Sequence, residues 1–159
     1  MSSYERARNL SVSRRVMRGF SPKRLTQVRT ERNFSLSDLA RLANIGRSTV
    51  HHWETGHATP QVDLLARAAE TLGVSISDLV HVPENERFPG DLRILMGLTQ
   101  PQLGSQTGIP TATVGAIERG EAGLTHDYAS RLAGAVNVPL EVYCAAYERV
   151  RNRPPGTPA

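Results

Sequence analysis

The side chains best suited to chemistry are concentrated in one stretch of the chain, from Arg47 to His57. It contains an arginine, hydroxyl groups, one glutamate and three histidines. Histidine and glutamate together can ligate a metal ion, but the spacing here differs from the His-Glu-x-x-His arrangement of zinc enzymes. Adjacent histidines on a helix also point about 100° apart, so His51 and His52 would not readily share one ion. We therefore expect no metal site.

Catalytic motifs are missing from the sequence as well. It contains no glycine-rich phosphate loop and no nucleophile motif. We expect no catalytic residue, no enzyme activity, no cofactor and no small-molecule ligand.

Positive charge is concentrated near the start of the chain. The 159 residues carry a formal net charge of +4, and residues 1–20 contain five arginines and one glutamate. Apart from Lys23 every basic residue is an arginine, and guanidinium groups suit phosphate and guanine. A GC-rich genome would give the same composition. The charge is compatible with a polyanionic partner without establishing one.

The cysteine content and hydropathy of the sequence indicate the cellular compartment of the protein. One cysteine, Cys144, excludes an internal disulfide framework and fits a reducing environment. No apolar run approaches the length of about 20 residues that a membrane span needs, and the arginine-rich start lacks the apolar centre of a signal peptide. We expect a cytoplasmic protein without a membrane partner.

The sequence repeats itself at a spacing of 64 residues without a gap. Residues of the first copy that recur unchanged in the second include Leu39, Ile45, Val50, Glu54 and Gly56. Their counterparts are Leu103, Ile109, Val114, Glu118 and Gly120. This regularity indicates one supersecondary unit used twice.

Local signals predict helices throughout both copies. In the first, Ser21 before Pro22 begins one helix, Ser35 caps a second, and Asn44 allows the tight turn before a third that begins near Arg47. A fourth helix is expected over residues 62–72 and a short fifth over 75–80. In the second copy the fourth helix is expected over 128–136 and the last from 140 to about 150.

The same signals divide the chain. We predict a basic arm over 1–20, a first domain over 21–80, a linker over 81–88, a second domain over 89–150 and a disordered tail over 151–159. The fold class is all-α.

Each copy resembles the Cro-like phage-repressor family of helix-turn-helix regulators, also called the XRE family. The matching residues of the first copy are Val28-Arg29, Ser35 to Ala40, Ile45 to Val50, Glu54-Thr55-Gly56 and Leu72-Gly73-Val74. Those of the second are Leu92-Arg93, Thr99 to Gly104, Ile109 to Val114, Glu118-Arg119-Gly120 and Val136-Asn137-Val138. The resemblance implies two tandem five-helix lambda-repressor-like helix-turn-helix domains.

Three positions depart from the family pattern. Leu36 stands where family members usually have glutamine, whereas the second copy keeps Gln100. Gly46 and Pro110 replace the serine that usually caps the third helix, so we expect the start of that helix to be displaced by a residue. The resemblance also implies partly buried ion pairs between Arg29 and Glu54 and between Arg93 and Glu118.

In this family the third helix enters the major groove of DNA. By resemblance, the first copy presents Arg47, Ser48, Thr49, His51 and His52 to double-stranded DNA, with Ser35 near the backbone. Arginine can bind guanine with two hydrogen bonds, and serine, threonine and histidine can bond base edges or phosphates. The alternatives are that Arg47 clamps a phosphate and that the histidines form a solvated helix face.

The second copy has a neutral face. By resemblance it presents Thr111, Ala112, Thr113 and Gly115, which can approach DNA closely and contact thymine methyl groups. Thr99, Gln100 and Arg119 offer further polar contacts near the DNA backbone. The alternative is a helix-turn-helix unit retained for packing or dimerisation.

Two unlike faces on one chain favour a monomer that reads an asymmetric site on successive turns of the major groove, although a homodimer stays open. A linker of about ten residues is long enough for that spacing. Arg14, Arg15 and Arg18 of the arm would follow phosphates or enter a minor groove.

The resemblance implies a sequence-specific transcriptional regulator that binds a double-stranded DNA operator. We expect a repressor that occludes a promoter, as in phage immunity. The alternative is a protein-interaction or antitoxin-type module in which the second copy dimerises or binds a partner protein.

Overall fold

A computed structural model describes residues 17–159 of the chain. The helices of the first unit are α1 (Pro22–Glu31), α2 (Leu36–Ala43), α3 (Arg47–Glu54) and α4 (Val62–Leu72). Those of the second unit are α5 (Pro89–Leu95), α6 (Gln100–Thr107), α7 (Thr111–Glu118), α8 (His126–Ala135) and α9 (Leu140–Arg151). Two 3-10 turns, Ile76–Asp78 and Glu84–Glu86, lie between α4 and α5. The prediction of an all-α fold with two tandem helix-turn-helix units is confirmed.

The predicted fifth helix of the first unit is not an α-helix. Residues 76–78 form a 3-10 turn, and Val80 pairs with Phe20 in an isolated antiparallel bridge. This bridge requires extended backbone at Val80, so the helix cannot continue to that residue.

Predicted capping residues set the helix boundaries. Ser21 accepts a hydrogen bond from the N–H of Arg24 at 3.1 Å, and Ser35 accepts one from Asp38 at 3.0 Å. In the second unit Thr99 and Gln102 form a reciprocal capping box at the start of α6. Asn44, with φ of 55°, and Gly108, with φ of 70°, adopt the left-handed conformation that the turn before the third helix requires.

Each unit has its own hydrophobic core. The first is built around Leu25, Leu39, Val50, Trp53 and Leu65, all nearly or completely buried. The second is built around Leu103, Val114, Ile117, Leu132 and Tyr143. The third helix of each unit is therefore anchored from its inner side, which leaves its outer side free for contacts.

Helix α5 of the second unit packs on the first unit. Its Ile94 and Leu95 lie against the first core. Gly97, just after the helix, has φ of 70°, and a Cβ there would lie 3.1 Å from the Ala66 Cβ and 3.3 Å from the Ile76 Cδ1. The two units are thus in direct apolar contact as well as joined by the chain.

An ion pair reinforces this junction. Arg18 Nη1 lies 2.7 Å from Asp91 Oδ2, and the guanidinium stacks 4.1 Å from the centre of the Phe88 ring. Asp91 is buried and also accepts the Phe88 N–H at 2.8 Å. Burial raises the pKa of Asp91, against the opposing effects of the Phe88 N–H and of Arg18.

The segment before α1 is fixed beside the end of the first unit. Gly19, with φ of 74°, accepts a hydrogen bond from the N–H of His81 at 2.9 Å. A Cβ at Gly19 would lie 2.3 Å from the His81 carbonyl oxygen, so only glycine fits. Residues 17–20 therefore touch both units.

The segment 81–88 is bonded to the second unit. Arg149 of α9 donates from Nε to the Arg87 carbonyl at 2.9 Å and from Nη2 to the Glu84 carbonyl at 3.3 Å. Arg87 in turn donates to the Val82 carbonyl at 3.0 Å, and Val82 is buried. These contacts hold the connection between the units against the protein surface.

Candidate nucleic-acid interface

Helices α3 and α7, here called the first and second reading helices, occupy equivalent positions in the two units. They begin at Arg47 and Thr111, which are 64 residues apart, and their caps Gly46 and Pro110 make no side-chain capping bond. The displaced starts expected from these caps do not occur, because both helices keep the register that the repeat predicts.

The first reading helix has a polar outer face. Arg47, Ser48, His51 and His52 are exposed, Thr49 is half-buried, and the inner positions hold buried core residues. The ring centres of the two histidines are 6.1 Å apart. All the predicted residues of this helix therefore lie on one connected side of it, or at its edge.

Arg47 is held by α2. Its Nε donates to the Ser37 hydroxyl at 3.0 Å, and both side chains are exposed. The remaining guanidinium N–H groups stay free to donate to an acceptor outside the protein. Sequence reasoning did not assign Ser37 a part in the site, since no local signal links residues on two different helices.

The loop after the first reading helix adds a third imidazole. The His57 ring lies 6.0 Å from that of His52, and its Nδ1 is 2.7 Å from the Thr55 hydroxyl. His51, His52 and His57 thus form a continuous exposed row of imidazoles. Within residues 17–159 no group of three or more His, Cys, Asp or Glu side chains is placed to hold a metal ion.

Polar residues at the start of α2 and α6 have local partners. Ser35 and Thr99 use their hydroxyl oxygens as helix caps. Gln100 donates from Nε2 to Glu118 Oε2 at 2.8 Å, so its amide is already anchored to the end of the second reading helix.

The second reading helix has a different outer face. Thr111 and Ala112 are exposed and Thr113 is half-buried, but Gly115 is buried. A Cβ at Gly115 would lie 3.1 Å from Arg119 Nη1 and 3.5 Å from Gln100 Oε1. The side chains of Arg119 and Gln100 therefore cover the middle of this helix, where sequence reasoning expected open backbone.

The two predicted ion pairs are confirmed and hold the reading helices in place. Arg29 Nε lies 2.6 Å from Glu54 Oε1, and Arg93 Nε lies 2.7 Å from Glu118 Oε1. Each arginine also donates to a backbone carbonyl, Phe34 in the first unit and Leu98 in the second. Each pair ties the first helix of its unit to the end of its reading helix.

The arginines of the predicted arm fall into two groups. Arg14 and Arg15 lie outside the described residues. Arg18 is half-buried and bound to Asp91 at the junction between the units. Next to it, the Met17 N–H donates to the Thr59 hydroxyl at 3.2 Å, in the loop that follows the first reading helix.

The third helix of each unit is anchored on its inner side and accessible on its outer side. Two such units define a tandem helix-turn-helix protein. A family model described as helix-turn-helix matches residues 25–79 and 91–143. The chain belongs to this helix-turn-helix family, which is a double-stranded-DNA-binding family and not an enzyme family.

One curated relative is the "Putative HTH-type transcriptional regulatory protein" of Methanothermobacter thermautotrophicus strain Delta H. It is 36% identical over 69 residues, which are 42% of this chain and 22% of that protein. No solved structure matches the chain significantly. In residues 17–159 no helix combines the length and apolar character that a membrane crossing requires.

Proposed function

We propose that this chain is a sequence-specific double-stranded-DNA-binding transcriptional regulator that acts as a repressor in the cytoplasm. The observation that carries the proposal is the outer face of the first reading helix, where Arg47 projects beside a row of exposed imidazoles. Family membership supports the same partner.

In this proposal the N-terminal half of the first reading helix enters the major groove. Arg47 donates to O6 and N7 of a guanine, and its bond to Ser37 fixes the direction of the guanidinium. Ser48 and Thr49 contact neighbouring bases. His51 and His52 donate to a base edge or to a phosphate, and Ser35 lies near the backbone.

The second reading helix reads a different half-site. Thr111, Ala112 and Thr113 are small enough to touch thymine methyl groups. Thr99 and Gln100 lie near the DNA backbone. The side chains of Arg119 and Gln100 cover Gly115. Because the two faces differ, the site is asymmetric and one chain reads it as a monomer.

Docking of α5 on the first unit supports this arrangement. Ile94, Leu95 and the Arg18–Asp91 pair hold the two units in direct contact, which fixes the distance between the reading helices. Such a protein would bind a DNA site in which the two unlike half-sites are always the same distance apart. Arg18 is left out of the proposed DNA contacts because its guanidinium is bound to Asp91.

The N-terminal arm is proposed to add backbone contacts. Met17 is anchored at Thr59, beside the first reading helix. Arg14 and Arg15 precede Met17 in the sequence by three and two residues. Their guanidinium groups would neutralise phosphates next to the half-site.

A chain that covers two successive faces of the major groove would exclude polymerase from the same DNA. We therefore propose repression by promoter occlusion, of the kind used in phage immunity. The boundaries proposed for the working units are 21–80 and 89–150, with the arm over 1–20 and the connection over 81–88. The tail proposed over 151–159 starts with Arg151, which is the last residue of α9, and Arg151 and Arg153 are bonded to the second unit.

Selection from a random pool of duplexes by the purified chain tests the proposal. We expect a site with two unrelated half-sites, bound by one chain, with affinity that falls steeply as salt rises. A palindromic site would indicate a homodimer instead. Weak binding without sequence preference would favour the protein-interaction alternative.

Substituting the proposed guanine contact tests the first reading helix. Arg47→Ala should weaken binding to the selected site by about 1 to 3 kcal/mol and relax the preference at one base pair. Fluorescence anisotropy with the selected site and with each single-base variant measures both effects. An equal loss on every sequence would make Arg47 a phosphate contact.

Arg41→Ala is the matched control for this substitution. Arg41 is an exposed arginine of the same unit, but it lies near the end of α2 and pairs with Asp38. Its removal should leave the base preference unchanged.

A further inference from the structure

The last helix of the second unit returns to the loop after the second reading helix. Arg151, at the end of α9, donates from Nη1 to the Gly120 carbonyl at 2.9 Å. Arg153, two residues further, donates from Nη1 to the Arg119 carbonyl at 2.6 Å. The last residue of α9 and the chain that follows it thus bring two guanidinium groups to the end of α7.

Glycine permits this approach. Gly120 has φ of 70°, and a Cβ there would lie 2.8 Å from the Arg151 Cα. Its counterpart in the first unit, Gly56, has φ of 78° but nothing within 4 Å of the same point. Among residues 17–159, the loop after the reading helix is therefore open at this point in the first unit and covered by the α9 terminus in the second.

Arg119 adds a third guanidinium on the outer face of the second reading helix. Its Nη1 would lie 3.1 Å from a Cβ at Gly115, so the side chain folds back along the helix. The residue of the first unit that corresponds to Gly115 is His51. At the position where the first unit exposes the imidazole of His51, the second unit has Gly115, and the guanidinium of Arg119 covers it.

These arginines keep hydrogen-bonding capacity for an external anion. A guanidinium carries five N–H donors. Arg119 uses Nε for Glu121 at 3.0 Å, and Arg151 uses Nη1 for a carbonyl. Arg153 uses Nε for the Thr157 carbonyl and Nη1 for the Arg119 and Val150 carbonyls, which leaves its Nη2 group. The Arg119 side chain is 39% exposed, and Arg151 is exposed.

Within the described residues, the three arginines of the cluster bond to one carboxylate. Glu121 is the carboxylate that pairs with Arg119, whereas Arg151 and Arg153 bond to neutral carbonyl groups. Carbonyl partners position a guanidinium without cancelling its charge. The cluster therefore supplies the attraction for phosphate that the neutral side chains of the second reading helix lack.

We propose that Arg119, Arg151 and Arg153 bind backbone phosphates of DNA at the C-terminal end of the second reading helix. This inference rests on the proposed function and assigns its second half-site a backbone anchor. The anchor is positioned by carbonyls of the same loop, so it is preorganised before DNA arrives.

The salt dependence of binding by the full-length chain tests this site. Each phosphate contact lowers the slope of log K against log salt by about 0.9 on duplex DNA. Arg119→Gln and Arg151→Gln should each make this slope less negative by about that amount. Each should also weaken binding about threefold at physiological salt, on the selected site and on a scrambled duplex alike.

Two further variants keep the result interpretable. Arg131→Gln removes an exposed arginine of α8 that pairs with Asp127, and it should leave the slope unchanged. Arg151→Lys keeps the charge and should keep most of the slope, even if Arg151→Gln disturbs the loop. Circular dichroism of each variant reports whether α9 remains folded.

A folded Arg119→Gln or Arg151→Gln variant with the slope of the unsubstituted chain would overturn the inference and leave the cluster as a support for the loop. Loss of sequence preference in the unsubstituted chain would instead overturn the proposed function. Because the slope is also measured on the scrambled duplex, the two failures are distinguishable.

Discussion

Inserting five base pairs between the two half-sites of the selected site should lower the affinity of the chain about 10²- to 10⁴-fold. Five base pairs turn B-DNA by roughly half a helical turn, so the half-sites face opposite sides of the duplex. Two units held together by α5 cannot then engage both half-sites. One unit then binds its half-site alone. The chain loses the gain in affinity that comes from linking two binding units, which is about 10²- to 10⁴-fold.

A ten-base-pair insertion separates rigid docking from simple tethering. It brings both half-sites back to the same side of the duplex but moves them about 34 Å further apart. A flexible connection of about ten residues, fully extended, could cover that distance. Docked units cannot, so we expect the ten-base-pair insertion to be as harmful as the five-base-pair one. The same insertions outside the site serve as controls.

Mobility-shift titrations on the three spacings provide the measurement. Equal affinity on all of them would mean that one unit alone binds the site. Recovery of affinity with the ten-base-pair insertion would mean that the contacts of Arg18, Ile94 and Leu95 break when the chain binds DNA.

Glu118→Ala should destabilise the second unit by about 3 to 5 kcal/mol, the usual cost of removing one member of a buried ion pair. Arg93 and Glu118 are both buried, and the substitution would leave the guanidinium of Arg93 without its carboxylate. Gln100 would lose its acceptor as well. The second reading helix would then lose its tie to α5.

Urea unfolding followed by far-ultraviolet circular dichroism measures this effect, and Trp53 fluorescence reports the first unit separately. Asp127→Ala is the matched control, because the Arg131–Asp127 pair is exposed. Exposed pairs contribute at most about 1 kcal/mol. A shift for Glu118→Ala no larger than that of the control would contradict the buried pair's role.

Much of each unit could be predicted from the sequence because its signals are local or recur in both copies. Ser21, Ser35 and Thr99 act within three residues of their partners, and the left-handed turns at Asn44 and Gly108 follow from residue type. The ion pairs followed from the family resemblance, which was strong in both copies.

Contacts between the units left no such signal. Ile94 and Leu95 resemble core residues of their own helix, but they pack on the other unit. Arg18 stands in a run of arginines, and its partner Asp91 is 73 residues away. Gly115 looked like open backbone because the side chains that cover it come from Gln100 and Arg119. Spacing within one element cannot reveal partners on another.

The docked face of α5 has no apolar counterpart on α1 of the first unit. The contact is head-to-tail, the type that can propagate without limit when every copy carries both surfaces. The first unit has Gln27, Thr30 and Glu31 where α5 has Asp91, Ile94 and Leu95, and these three side chains are exposed. Gln27 and Glu31 also bond to each other at 2.8 Å. The face of α1 that corresponds to the docked face of α5 is therefore polar, so α1 cannot make the apolar contact that α5 makes.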